Sequence, residues 1–96
     1  MNITLYTLTD AGIPSDKARR MLDMIGRYIE PHHVQLYRPV VLKGKVTTTT
    51  ITMRAWKLKA IDGLCEDRIL NPRRSLLANW IELKRIVEAF KIKEVA

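Results

Sequence analysis

The stretch NPRRSLLANWIELKRIVEAF, residues 71–90, decides most of what the sequence predicts about the fold. Its apolar residues recur at steps of four, three, four and three, which places them along one side of an α-helix. These residues are Leu76, Trp80, Leu83, Val87 and Phe90. Asn71 and Pro72 form a start signal, because Asn can accept a hydrogen bond from an unpaired backbone N–H and proline fits the first helical position. The sequence therefore predicts a long C-terminal amphipathic helix that begins at Asn71 and Pro72.

Two arginines follow this helix start directly. Arg73 and Arg74 lie at the positive end of the helix dipole, where a carboxylate would be favoured. A local conflict of this kind often marks a functional position. We therefore expect a partner to bind at the entrance of the helix, with Asn71, Pro72, Arg73, Arg74 and Trp80 as the binding residues.

A second helix is predicted in the N-terminal half of the chain. Ser15 is a good N-cap, and apolar residues follow it at helical spacing. The helix is expected to end at Glu30, because Pro31 disfavours helical geometry in the residue before it. Ahead of this helix, residues 2–8 alternate imperfectly between apolar and polar side chains, which predicts a short strand or an extended arm.

The segment between the two helices, residues 34–53, is rich in β-branched side chains. Lys43 and Gly44 divide it and predict a hairpin turn, while Pro39 makes the first half an edge strand. In a rival interpretation the threonines cap a helix that opens near Thr50 and ends at Gly63. We expect extended structure to about Thr49 and helix after it.

Together these elements predict a mainly α fold, with an α+β fold as the alternative. The chain has 96 residues, of which 47% are hydrophobic and 28% are charged. This length and composition are typical of one folded domain with a single modest core. We therefore treat residues 1–96 as a single domain.

The sequence offers little support for catalysis, cofactor binding or membrane insertion. Cys65 is the only cysteine, so no intramolecular disulfide can form, and we interpret it as a small core residue rather than a nucleophile. His32 and His33 are adjacent and lack a matching ligand cluster, so no metal site is predicted. Residues 1–10 lack the basic start and apolar run of a signal peptide, and no uninterrupted apolar run approaches membrane-spanning length, so we expect neither secretion nor membrane insertion. We expect a cytoplasmic, non-enzymatic protein without a cofactor.

The basic charge suggests recognition instead. Seventeen Lys and Arg against ten Asp and Glu give a net charge of +7, which favours an anionic partner. In one hypothesis Arg73 and Arg74 contact DNA. In a second, the chain binds an acidic protein surface and uses an exposed Trp80 or Phe90 as an anchor. In a third, the apolar side of the long helix forms a homodimer, although a monomer core explains that side equally well.

Two segments carry a resemblance to a known family. MNITLYTLTDAGIPSDKARRML at residues 1–22 and DRILNPRRSLLANWIELKRI at residues 67–86 resemble the anti-RecBCD accessory proteins of lambdoid phages. The resemblance implies a non-enzymatic phage protein that binds the host RecBCD nuclease-helicase through its RecC subunit. It implies that this binding inhibits or modifies RecBCD in favour of phage recombination.

The resemblance also implies a host prolyl isomerase as a second partner. The peptide bond before proline has a weak trans preference and exchanges slowly, which gives an isomerase something to recognise. Of the four prolines, Pro72 is our choice, because Asn71, Arg73 and Arg74 around it are expected to be exposed. An ordinary trans proline that starts a helix is the alternative interpretation.

Overall fold

A computed structural model describes residues 1–71 and 76–95 of the chain, with side chains through residue 94. Within these ranges, three strands and four helices follow one another in the order β1, α1, α2, β2, β3, α3, α4. Their bounds are Asn2–Ile3 (β1), Leu5–Asp10 (α1), Ser15–Gly26 (α2), His32–Leu42 (β2), Lys45–Lys57 (β3), Leu58–Leu70 (α3) and Leu77–Val95 (α4). The described chain is 56% helical and 29% strand. The prediction of a mainly α fold is therefore wrong, and the fold is a small α+β domain.

The hairpin accounts for this difference in fold class. The whole of β2 pairs antiparallel with residues 45–55 of β3, and Lys43 and Gly44 form the turn between them, as the sequence predicted. β2 lies at the edge of the sheet, since the strand order is β1-β3-β2 in the described residues. The prediction of an edge strand containing Pro39 is thus confirmed. The predicted helix after Thr49 is wrong, because β3 continues to Lys57.

The end of β3 is held in the sheet by the N-terminal residues. Asn2 pairs with Lys57 and Ile3 pairs with Trp56, so the strand gains a second neighbour at its buried end. β1 contains only these two residues, and α1 begins at Leu5 after the N-cap residue Thr4. Thr4 and Thr7 form a reciprocal cap in which each hydroxyl accepts a hydrogen bond from the other residue's backbone N–H. The prediction of a strand or arm up to Leu8 is therefore wrong beyond Ile3.

The other helix boundaries also differ from the prediction. α2 ends at Gly26 rather than Glu30, and the residue in the N-cap position is Pro14 rather than Ser15. α3 runs through Gly63 to Leu70, because Leu58, Ile61 and Cys65 all pack into the core. A glycine in a helix interior weakens it without ending it.

The long C-terminal helix behaves as its spacing predicted. Trp80, Leu83, Val87 and Phe90 are buried and join one core with residues of β1, β3 and the other three helices. α3 and α4 pack against each other along this core. The apolar side of α4 is therefore used inside the chain, as the monomer-core interpretation expects. The predicted start of the helix at Pro72 lies outside the described residues.

Candidate binding surface

The residues predicted to bind a partner do not lie together on one exposed surface in the described part of the chain. Asn71 lies at the end of α3, where its backbone N–H and its side-chain Nδ2 both donate to the carbonyl oxygen of Asp67, at 3.0 and 3.3 Å. It thus caps the preceding helix. Pro72, Arg73 and Arg74 lie outside the described residues. Trp80 is 3% exposed, so the prediction that it forms an exposed anchor is wrong.

Trp80 instead lies at a junction of three helices. Its ring contacts Tyr28 edge-on, with the ring centres 5.7 Å apart and the planes at 70°. On Tyr28, the guanidinium of Arg68 lies 4.9 Å from the ring centre, a cation–π distance, and the same group donates to Asp67 at 2.8 Å. The contacts therefore run in the order Arg68, Tyr28, Trp80. It joins the ends of α2 and α3 to the beginning of α4.

A surface groove lies beside this junction, between α2 and α4, and we call it the entrance groove. It is formed by two adjoining depressions of about 270 and 220 Å³. The residues that line it are Lys17, Arg20, Met21, Asp23, Met24, Arg27, Leu76, Asn79 and Glu82. Met21 and Met24 are buried and give the groove an apolar floor. Leu76, at the edge of the groove, is the first described residue after 72–75.

Two arginines give the entrance groove its charge. Lys17 forms an ion pair with Glu82 across the groove, and Asp23 pairs with Arg54. Arg20 and Arg27 form no salt bridge with any described residue. Arg20 lies on α2 and Arg27 is its C-cap residue seven positions later, and both line the same depression. The sequence showed this basic side of α2 but did not show that it faces the beginning of α4.

Over the described surface as a whole, more basic than acidic side chains lack a salt bridge. Eight of the ten carboxylates form a salt bridge, the exceptions being Asp16 and Glu30. Six of the fifteen described Lys and Arg side chains do so. The other nine are Arg19, Arg20, Arg27, Lys43, Lys45, Lys57, Lys59, Arg85 and Lys93. The net positive charge is therefore presented outward rather than neutralised within the molecule.

Cys65 and His32 belong to residue types that often take part in catalysis, and they lie in different surroundings. Burial raises the pKa of Cys65 to about 11, so its thiol stays protonated near neutral pH and is a poor nucleophile. His32 Nε2 lies 3.1 Å from the side-chain oxygen of Asn2, at the surface. In the described ranges, no three His, Cys, Asp or Glu side chains form a group that could hold a metal ion. None of the described helices combines the length and apolarity that crossing a bilayer requires.

The arrangement is thus a groove between α2 and α4 with an apolar floor and two arginines that form no salt bridge with a described residue. Such a surface can bind an anionic or amphipathic ligand without bond-making chemistry. Comparisons of the chain with protein-family models, with curated proteins and with solved structures find no match.

Proposed function

We propose that this chain is a non-enzymatic phage protein that binds a macromolecular partner in the host cytoplasm through the entrance groove. The target we propose is the host RecBCD nuclease-helicase, contacted through RecC, as the resemblance of residues 1–22 and 67–86 implies. The main support for a binding role is the groove itself. Arg20 and Arg27 line it without a salt bridge to a described residue, and the buried Met21 and Met24 form its floor.

The sign of the charge restricts how such a protein acts on a nuclease. A surface that binds DNA is itself positively charged, since it must neutralise phosphates. A chain with a net charge of +7 is repelled by that surface and is a poor electrostatic mimic of DNA. Its contact on RecBCD is therefore expected at an acidic or apolar surface outside the DNA-binding channel.

The proposal also includes residues 72–74, the segment predicted from the sequence to bind a partner. Arg73 and Arg74 follow α3 and precede Leu76 in the sequence, so we include them in the proposed binding surface. A host prolyl isomerase that recognises Pro72 is the second partner we propose for the same region. Both partners would then approach the protein from the side where α3 ends and α4 begins.

A binding measurement with purified RecBCD tests the proposal. Wild-type chain is compared with Arg20→Glu/Arg27→Glu and with Arg73→Glu/Arg74→Glu. The matched control is Lys57→Glu/Lys59→Glu, which changes the net charge equally and alters two exposed cations that also lack an ion-pair partner in the described chain. We expect each arginine variant to lose about tenfold or more in affinity and the control to lose less than about threefold.

Two outcomes would contradict the proposal. If wild-type chain fails to bind RecBCD and binds duplex DNA tightly with a steep salt dependence, the protein is a small DNA-binding regulator. If the control loses as much affinity as the arginine variants, the binding depends on overall charge and not on the entrance groove. Circular dichroism of each variant separates either result from loss of folding.

A further inference from the structure

The β2–β3 hairpin ends in an arm that has no contact with the core. All eight residues from Val41 to Thr48 are exposed, whereas Ala55 and Trp56 at the base of the hairpin are buried. The molecule is elongated accordingly, with principal extents of 51, 30 and 22 Å. We call residues 41–46 the arm tip.

The arm tip exposes aliphatic side chains at unusual density. Val41 and Val46 are partners across the two strands, so they lie side by side on one face, and they are 69% and 74% exposed. Leu42, on the opposite face, is 61% exposed. Single exposed apolar residues are common on proteins, but three within six residues form a patch that covers both faces of the arm tip.

The charge around this patch has one sign. No Asp or Glu occurs from Pro31 to Ile61. Arg38 lies over the ring of Tyr6 and pairs with Asp10 of α1, and Arg54 pairs with Asp23 of α2. Lys43 and Lys45 are exposed at the turn, without an ion pair to a described residue. The arm tip therefore combines an aliphatic surface with two free positive charges.

These features disfavour a second copy of the chain as the partner that binds the arm tip. The two-residue turn makes Leu42 and Lys45 a hydrogen-bonded pair, so alternate residues of β2, including Pro39, turn their backbone groups toward the open edge. Pro39 has no N–H to offer there and interrupts pairing with another strand. Two such tips would also bring their lysines together.

Nucleic acid fits the arm tip less well than protein does. Base edges and phosphates are recognised by side chains that hydrogen-bond, and Lys43 and Lys45 are the only such side chains in residues 41–46. Val41, Leu42 and Val46 would face a charged backbone. An apolar depression with carboxylates at its rim matches both the aliphatic and the cationic groups.

We propose that the arm tip is a docking element that inserts Val41, Leu42 and Val46 into an apolar depression of an acidic partner protein. Lys43 and Lys45 then face carboxylates at the rim of that depression. This inference rests on the proposed function, since it assigns a second contact to the same binding protein. The arm tip and the entrance groove would then make two separate contacts with the same partner.

The test uses the full chain and purified RecBCD as the probe. Leu42→Ser/Val46→Ser removes one aliphatic side chain from each face of the arm tip and keeps every charge. Its control is Ile92→Ser, which removes an aliphatic side chain of comparable exposure, 71%, from α4 and away from the end of α3. We expect the arm variant to lose about thirtyfold or more in affinity and the control to lose less than about threefold.

The outcomes separate this inference from the proposed function. If wild-type chain binds RecBCD and the arm variant binds equally well, the inference fails and the proposed function stands. If wild-type chain does not bind RecBCD, both fail. Vesicles of anionic lipid and duplex DNA serve as parallel probes, and arm-dependent binding to either one would overturn the assignment to an acidic protein. Unchanged circular dichroism of both variants shows that the hairpin change has not unfolded the chain.

Discussion

The indole nitrogen of Trp56 donates a 2.8 Å hydrogen bond to the backbone carbonyl of Ile29. This bond joins the buried end of β3 to the turn that follows α2. The same ring lies against Gly26, where an added Cβ would be 3.5 Å from the indole. One side chain therefore fixes where α2 ends and how the hairpin sits on the helices.

Replacing Trp56 by Phe is expected to lower the free energy of unfolding by about 1–3 kcal/mol, because the carbonyl of Ile29 loses its donor and part of the ring volume is lost. Urea denaturation followed by circular dichroism measures the change. Trp80→Phe is the matched control, since no hydrogen bond from its indole nitrogen to a described residue is present. Equal destabilisation by the two variants would show that the bond to Ile29 contributes nothing.

Trp56 also shows where prediction from the sequence fails. Its spacing from Met53 and Ala60 fits a helix, and the local pattern cannot reveal that residues 2 and 3 pair with the same segment. The hairpin turn was predictable, because Lys43 and Gly44 are local signals. The extension of β3 to Lys57 depends on a contact between residues more than fifty positions apart.

The candidate binding surface was predictable only in part, because helix packing brings together features that are separate in the sequence. The basic side of α2 and the arginines after Pro72 are visible in the sequence as separate features. That Arg20 and Arg27 share a groove with the first turns of α4 depends on how the helices pack. Trp80 was placed in the site because aromatic residues often anchor interfaces, but its spacing with Leu83 and Val87 already agreed with a core position.

Trp80→Ala is expected to act on folding rather than on recognition. The side chain is buried against Tyr28, so its removal leaves a cavity and should cost about 3–5 kcal/mol of stability. Thermal denaturation measures this loss, and partner binding should fall only in proportion to the unfolded fraction. A fully folded Trp80→Ala variant with a selective binding defect would return Trp80 to the partner contact.

The ion cluster between α3 and α4 predicts a pH dependence of stability. Lys84 contacts Asp62, Glu66 and Glu88, and Lys91 lies 3.1 Å from Asp62. The hydrogen bond from Lys84 lowers the pKa of Asp62 below its ordinary value, although partial burial opposes the shift. Because the folded-state pKa is the lower one, the ionised carboxylate stabilises the fold above its unfolded-state pKa. This contribution is lost as the pH falls through the folded-state pKa.

Asp62→Asn is therefore expected to cost about 1 kcal/mol at neutral pH, given the partial exposure of the cluster, and less in acid. Urea denaturation of the variant and wild type at several values between about pH 7 and pH 3 measures the difference, which should shrink as the pH falls. Glu30→Gln is the control, because Glu30 is exposed and forms no salt bridge with a described residue. A difference independent of pH would show that the Asp62 charge does not stabilise the fold.

The hairpin turn makes a prediction about the stability of the arm alone. Lys43 and Gly44 have φ angles of 51° and 77°, the left-handed pair that a two-residue turn requires. No atom lies within 4 Å of a Cβ added at Gly44, so Gly44→Ala costs only backbone strain, about 1 kcal/mol. Lys43→Asn should have the opposite effect, because Asn adopts this conformation more readily than Lys.

Amide hydrogen exchange of the arm is the appropriate measurement, since the arm can open while the core stays folded. Gly44→Ala should speed the exchange of arm amides about fivefold, the factor that corresponds to about 1 kcal/mol, and Lys43→Asn should slow it. Amides of α4 around Leu83 serve as the internal reference and should be unchanged. Equal acceleration in the arm and in α4 would contradict an independently opening arm, because the turn would then be coupled to the whole fold.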